Sequence, residues 1–490
     1  MNWRLLLLLA GALVLRLAIA PLPSYWVDEA FTIHLLGHDF GGMLERVAET
    51  ESTPPLYYAL AWLWSQVAGI GELGLRSLSA LAGAATVGLA WALGRWVAGP
   101  RAALAAGALV AVNPFLLWFS SEARAYALAS ALTTAALLLL VRLLAPDAGG
   151  EERREKPEAD GRRLAAWAAL AAGALLTHYA TAFVVGAQAV ILLRRRGTRA
   201  AWAAVAAVAA VGAALIPLAV AQRGNSFAQA LDEVGDPLTE RIAQVPKQFA
   251  IGYDAPLESF AGGLAIVVLL LGIVLALLAA PDLRQRALVS LTVGVAGILA
   301  PIAASLAGLD VVSSRYLLPA LPPLLVVAAA GLTAGTRSRL GPALVAGLTA
   351  AWLVVAVAVA RDPLLQTRAD WQGVERALGP APASGRALVL SPSNGALVLV
   401  DGYRLSARQG PRPVTEIVLA STEDYDREVP PLPTIQPGFA AEGFKLAEQR
   451  TERGYVLQRW RARSPIPVDQ ASLEAASLDP WMSTIVVWQP

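Results

Sequence analysis

Long apolar runs, each about the 20 residues that carry a helix across the hydrocarbon core of a bilayer, recur along the first 360 positions of this chain. No other feature constrains the fold as strongly, because backbone polar groups in hydrocarbon must be satisfied within a helix or a closed barrel. Over the 490 residues, 56% are hydrophobic and only 16% are charged, whereas roughly a quarter are charged in an ordinary soluble domain. A soluble globule has nowhere to put that much apolar surface. The runs fall at 5–22, 75–94, 102–119, 125–145, 163–178, 181–194, 201–219, 260–280, 287–308, 317–335 and 341–360. The expectation is an all-α polytopic membrane protein of about eleven transmembrane helices. The opening MNWRLLLLLAGALVLRLAIAPLP has the look of a signal peptide, but its length and the spans that follow it read as a retained first helix.

Charge gives the orientation. Basic clusters stand at Arg95 and Arg101, in EERREKPEADGRR (151–163), in RRRGTR (194–199), at Arg284 and Arg286, and at Arg337 and Arg339. The positive-inside rule puts all of these in the cytoplasm. The segment TPPLYYALAWLWSQVAG (53–69) complicates the count. If it crosses, every later basic loop is thrown outside. It opens on two prolines and carries Tyr57, Tyr58, Trp62 and Trp64, residues that favour the headgroup region, so it is expected to lie along the outer surface. The alternative is that it crosses and one of the short spans does not. On the first reading the amino terminus is cytoplasmic. Residues 23–74, 220–259 and the tail 361–490 are then external, with shorter outer turns near 120–124, 178–180 and 309–316. The tail mixes runs such as RALVLSP, GALVLVDGYR and GYVLQRWR with Gly and Pro turns, which predicts a small extracytoplasmic α/β domain beyond a transmembrane domain of residues 1–360.

Other composition features narrow the function. The chain has no cysteine, which removes disulfides and thiolate metal sites. Its three histidines, His34, His38 and His178, are too scattered to form a zinc cage of their own. A net charge of +2 points to no nucleic acid or polyanionic partner.

The residues able to do chemistry gather on the external side. Asp28 and Glu29, in PSYWVDEAF, directly follow the first span. They are either a solvated interfacial anchor beside Tyr25 and Trp26, or a general base or cation ligand. Glu122, Arg124 and Tyr126 sit in NPFLLWFSSEARAYAL. In a continuous helix Glu122 and Tyr126 share a face and Arg124 turns away; a Glu122–Arg124 salt bridge is the plain reading. Arg315 and Tyr316 occupy SSRYLLPALPP, where an arginine either snorkels to lipid phosphate or grips a substrate phosphate. Arg16, near the outer end of the first span, has the same two readings. His178 and Tyr179 in LLTHYATAF form a polar break between short spans, either a capped turn or a substrate contact. Positive-inside bias works against external arginines, so their concentration on this side calls for a cause.

Together YWVDEA, TPPLYY, RSLSALAG (76–83), SSEARAYAL, THY and SSRYLLPALPP resemble, in order and through about residue 325, the GT-C glycosyltransferases of the ArnT/protein mannosyltransferase type, which take sugar from a polyprenyl phosphate. The resemblance implies a hexosyl or pentosyl transferase of the cell membrane with juxtamembrane helices in its first external loop. It implies Asp28 as the base of an inverting transfer to a hydroxyl, with Glu29 shaping the site. Arg124 or Arg315 would neutralise the departing lipid phosphate. Arg16, Glu122, Tyr126, His178, Tyr179 and Tyr316 complete the expected substrate-binding set. Related oligosaccharyltransferases place metal-binding acids in the second external loop; here S-E-A-R replaces paired aspartates, so no cofactor is firmly implied, a divalent cation held by Asp28 and Glu122 being the option. The expected partners are a polyprenyl phosphate-linked sugar, membrane lipids, and a glycolipid, polysaccharide or protein acceptor. A lipid-linked glycan flippase, or an oligosaccharyltransferase or glycan polymerase, stands as the alternative.

Overall fold

The computed structural model describes residues 2–144, 157–223, 237–334, 339–362, 369–408, 410–422, 443–452, 454–475 and 483–490. The first part of the charged stretch 151–163, residues 224–236 of the stretch 220–259, Arg337 and Arg368 lie outside the described residues. The chain divides into two compact units, one of residues 1–20 and 38–358, the other of 21–37 and 359–490.

The first unit is helical throughout. Helix α1 (Trp3–Ile19) starts on the Asn2 side chain, which accepts from the Arg4 amide. The second helix, α2 (Val27–Leu36), belongs to the other unit. The first unit resumes with α3 (Phe40–Thr50), α4 (Leu56–Ala68), α5 (Glu72–Ala98), α6 (Pro100–Val112), α7 (Pro114–Phe119) and α8 (Tyr126–Leu144). It continues with α9 (Pro157–Thr177), α10 (Thr181–Arg196), α11 (Arg199–Arg223), α12 (Leu238–Ile251), α13 (Glu258–Leu278) and α14 (Pro281–Leu306). A 3₁₀ turn (Leu318–Ala320) leads into α15 (Leu321–Thr333), and α16 (Leu340–Arg361) follows.

A helix stands at each of the expected spans. Among the described residues, six are long and apolar enough to cross a bilayer: α5, α8, α11, α13, α14 and α16. The expected figure of about eleven is not reached by that measure. The physical reason is local. The run 102–119 is cut at Asn113-Pro114 into α6 and α7, since Pro114 supplies no amide to continue the helix. The run 317–335 begins with a 3₁₀ turn before 13 residues of α15. Helix α4, with 13 residues, is about 20 Å long and short of a hydrocarbon core of about 30 Å.

Close crossings depend on small residues. A Cβ on Gly331 of α15 would stand 1.8 Å from the Gly272 carbonyl oxygen of α13, and one on Gly272 would stand 2.4 Å from that of Ala328. The two backbones meet directly, the packing that small residues permit between membrane helices. Lipid-facing surface remains outside: Val267, Leu270 and Leu278 of α13 are 61%, 55% and 77% exposed, as an apolar belt in contact with acyl chains must be.

The second unit contains α2, α17 (Trp371–Leu378), α18 (Gln470–Glu474) and a sheet of β1 (Arg386–Ser391), β2 (Val414–Thr422), β3 (Lys445–Glu452), β4 (Tyr455–Ile466) and β5 (Ile485–Gln489). Strand order is β3-β4-β2-β1-β5, with β1 and β2 parallel and the other pairs antiparallel. Ala387, Val389, Ile417, Leu419, Leu473 and Trp488 form its core. RALVLSP and GYVLQRWR fall on β1 and β4, whereas GALVLVDGYR folds as a helical turn over Gly395–Leu397 and Val398–Gly402. A short apolar run fits a buried strand or a buried helical turn equally well, and packing decided this one. On the sheet, the buried carboxylate of Glu416 accepts from Arg386 Nε at 2.7 Å, Arg459 at 2.7 Å and Arg461 at 2.9 Å. Three cations share one acid, each forming a charge-assisted bond.

Candidate functional site

In the first unit, three segments distant in sequence converge. Tyr126 opens α8, His178 occupies the turn between α9 and α10, and Tyr316 lies ahead of the 3₁₀ turn. Their ring centroids stand 5.5 Å apart for Tyr126 and His178, 5.0 Å for His178 and Tyr316, and 6.4 Å for Tyr126 and Tyr316. These are ordinary aromatic contact distances. Arg315 lays its guanidinium 5.3 Å from the Tyr316 ring centroid. Phe119 extends the cluster from the other side, 4.8 Å from Tyr126. The expected residues Tyr126, His178, Arg315 and Tyr316 therefore do come together.

His178 has a definite chemical state here. Its Nδ1 accepts from the Ala180 amide at 3.2 Å, so in the neutral ring the proton is assigned to Nε2. Burial, and then the positive charges of Arg124 and Arg315, push its pKa down to about 3. A neutral imidazole is thus held across the physiological range, since its protonated form exists only below that value. Its Nε2 is buried with no hydrogen-bond partner. A donor so placed is costly unless something arrives to accept from it. The neighbouring Tyr179 donates to Gln222 at 2.7 Å, and burial pushes its pKa up to about 12. The capped-turn reading of the THY break is thus met through Nδ1 of His178.

Arg124 stands differently from the expectation. Residues 120–125 form turns, and the helix begins only at Tyr126, so the facial relation drawn for a continuous helix does not hold. The Arg124 guanidinium donates to both carboxylate oxygens of Glu51, at 3.1 and 3.2 Å, and Tyr58 places its ring centroid 5.8 Å away. Side-chain exposure is 7% for Arg124 and 3% for Glu51. This is a buried, bidentate ion pair. Gln222 anchors the segment that carries Glu51, donating to the Val47 and Thr53 carbonyls at 2.9 and 3.1 Å. Glu51 was not singled out from the sequence. The signal available was an acid two residues ahead of TPPLYY, with no basic residue within helical spacing. Glu122 is buried at 5% exposure in the same turn.

Arg16 is fully buried in α1 and donates to the carbonyls of Ala12 and Ala111 at 3.1 Å and of Val110 at 3.4 Å. Val110 lies four residues before Pro114, which has no amide to offer it. Arg16 thus satisfies carbonyls at the α6–α7 break, a demand that hydrocarbon makes absolute. Its Nε has no partner and lines a small cavity with Ser120 and Ser130. Arg76 similarly caps α1 by donating to the Ala20 carbonyl at 2.6 Å.

The second unit holds the acidic pair. Asp28 and Glu29 occupy the first turn of α2 and are 2% and 0% exposed. Glu29 accepts from the Trp26 amide at 3.1 Å, which closes the amino end of the helix, and both carboxylates sit where the helix dipole favours negative charge. The solvated-anchor reading does not survive this burial. Among the described residues, no three His, Asp or Glu side chains gather in a group that would hold a metal ion.

Comparison with known proteins gives one family match. Residues 52–221 fit the model of the dolichyl-phosphate-mannose-protein mannosyltransferases. Comparison with curated proteins finds no match. Among solved structures, the oligosaccharyltransferase AglB of Archaeoglobus fulgidus, in complex with an inhibitory peptide and a dolichol-phosphate, is 14% identical with a TM-score of 0.45. That similarity covers 74% of this chain, which spans little more than half, 56%, of the AglB chain. ArnT from Cupriavidus metallidurans, bound to undecaprenyl phosphate, is 15% identical over 93% of this chain and 97% of its own, with a TM-score of 0.40. The mycobacterial arabinofuranosyltransferase AftD is 14% identical over 94% of this chain and 42% of its own, with a TM-score of 0.47. The matched segment 52–221, about a third of the chain, contains TPPLYY, SSEARAYAL and THY, and over it the chain is similar to the dolichyl-phosphate-mannose-protein mannosyltransferases.

Proposed function

We propose that this protein transfers a monosaccharide from a polyprenyl phosphate to a hydroxyl acceptor at the outer face of the membrane, with inversion at the anomeric carbon. The observation that carries the reading is the family match over 52–221, the stretch that supplies Arg124, Tyr126, His178 and Tyr179. A flippase has no comparable support.

In this reading Asp28 takes the proton of the acceptor hydroxyl as that oxygen attacks the anomeric carbon and the bond to the phosphate oxygen breaks. The donor brings its own leaving group, so the protein's remaining task is to stabilise charge on the departing phosphate. Arg315 is the better suited arginine. It is partly exposed, while Arg124 is committed to both oxygens of Glu51 and Arg16 to backbone carbonyls. The unpartnered Nε2–H of His178 supplies a neutral donor to a phosphate or sugar oxygen. Tyr126 and Tyr316 offer ring faces of the kind that line sugar sites, and Glu29 fixes the helix turn from which Asp28 projects.

The deciding experiment is transfer of labelled sugar by purified protein from a panel of polyprenyl phosphate donors to native membrane acceptors. Donor-dependent product is expected, and Asp28→Asn should lower kcat by about 10²- to 10⁴-fold, the usual worth of a general base, with donor binding retained. Undiminished transfer by the variant would take Asp28 out of that role. No product from any donor, with folding and donor binding established, would favour a flippase.

A further inference from the structure

Helix α2 has only ten residues, a length at which an isolated helix in water is marginal. It emerges from a connector containing Pro21 and Pro23, and it stops at Gly37. The Glu29–Trp26 bond closes the first turn of the helix, and the position of that turn depends further on what the connector and helix are tied to. The ties lie in the same compact unit and come from the tail.

Four residues before Asp28, the Ser24 hydroxyl donates to the Asp370 carboxylate at 3.2 Å and accepts from the Gln372 amide at 3.0 Å. Asp370 is at the same time the amino-terminal cap of α17, accepting from the Gly373 amide at 2.9 Å. Three residues before Asp28, the Tyr25 amide donates to the Tyr403 hydroxyl at 3.0 Å, with the two rings 5.4 Å apart. Gly402 lies flush against the Tyr25 ring, where even a methyl group would be in contact at 3.4 Å. Beyond Asp28, His34 Nδ1 stands 3.4 Å from the Asp401 carboxylate. The contacts bracket the acidic pair on both sides. Tyr25, Ala30 and Ile33 are buried with it, at 2%, 0% and 4% exposure.

The geometry points to the tail as a positioning clamp: Asp370, Asp401 and Tyr403 hold the connector and helix α2, and thereby set the direction of the Asp28 carboxylate. This rests on the reading of Asp28 as the base. None of the three is a catalytic residue; they act through Ser24, Tyr25 and His34. It also gives the 359–490 segment a task in the reaction, separate from acceptor recognition.

The test uses full-length protein carrying Tyr403→Phe with Asp401→Ala, and separately Ser24→Ala, so that no single failure to fold decides it. Two readouts are taken. Amide hydrogen exchange of residues 27–36 should rise in both variants, with the sheet amides of 386–391 and 414–422 unchanged. In the transfer assay, kcat should fall roughly 10- to 100-fold, the cost of a misplaced reacting group, with the donor KM unchanged. Unchanged exchange over 27–36 overturns the clamp. Raised exchange with unchanged kcat overturns its service to Asp28. Were the unmodified protein to transfer nothing with any donor, the glycosyltransferase reading would fail, and the exchange readout would still decide whether the tail holds α2.

Discussion

The Glu51–Arg124 pair shows how much a single buried charge depends on its partner. Each ion is expensive to remove from water, and each is tolerated because the other meets it with two hydrogen bonds. Glu51→Ala is expected to destabilise the protein by about 3–5 kcal/mol, because it leaves the Arg124 guanidinium buried and uncompensated. Denaturant unfolding in detergent micelles measures this, and Glu51→Ala with Arg124→Leu should recover much of the loss. A loss under about 1 kcal/mol would mean that the pair behaves as a surface salt bridge. The sequence pointed to Arg124 by its motif, but its partner lies 73 residues earlier. No local periodicity links the two. Tyr126, His178, Arg315 and Tyr316 were readable because each is a polar interruption at the end of an apolar run. Arg16 carried the same signal, yet its guanidinium is occupied by backbone carbonyls. A charge at the end of a span announces a requirement without saying whether ligand or backbone meets it.

At the scale of elements, the α13–α15 crossing is set by glycine. Gly331→Ala would force a methyl group to within 1.8 Å of the Gly272 carbonyl oxygen, so the helices must separate. Overpacking of this kind costs about 1–3 kcal/mol, and the thermal midpoint in detergent should fall accordingly, while Gly347→Ala on α16, where nothing stands within 4 Å of a new Cβ, should leave it unmoved. Equal midpoints for the two variants would deny the close crossing. Helix locations were legible at the apolar runs of the first unit, since hydrocarbon demands a long apolar helix there, whereas α12 lies in the stretch 220–259 that was read only as external. Helix interruptions were less legible. Pro114 lay in plain view inside the run 102–119, and the Arg16 and Asn113 side chains help make a break there tolerable; Asn113 accepts from the Leu116 amide at 3.0 Å and donates to the Phe249 carbonyl at 2.9 Å. In the tail, β2, β3 and β5 escaped the sequence reading; β2 pairs with β1 and β4, and β5 with β1, across long stretches of chain. Strand β3 is almost wholly exposed, so it lacks the alternation that marks a half-buried strand.

For the whole molecule, orientation is open to a direct experiment, because a chain without cysteine accepts a single reporter thiol at any chosen site. A cysteine in place of Leu309, after α14, should react in intact cells with a maleimide that cannot cross membranes. One in place of Thr198, beside the basic run ending α10, should react only after permeabilisation. The opposite pattern would mean that α4 crosses the bilayer after all. The bond from Arg16 to the Ala111 carbonyl, spanning 95 residues, also sets an order of events during synthesis. When the first helix enters the membrane, the carbonyls its guanidinium will serve have not yet been made. At roughly 5–20 residues per second, they arrive on the order of ten seconds later. For that interval the charge must reach toward the headgroups, as long basic side chains near a helix end do. It is drawn inward only when the broken helix α6–α7 inserts beside it. Helix α1 thus settles only once α6–α7 has arrived, and a nascent chain halted before residue 111 should leave α1 shallow in the bilayer.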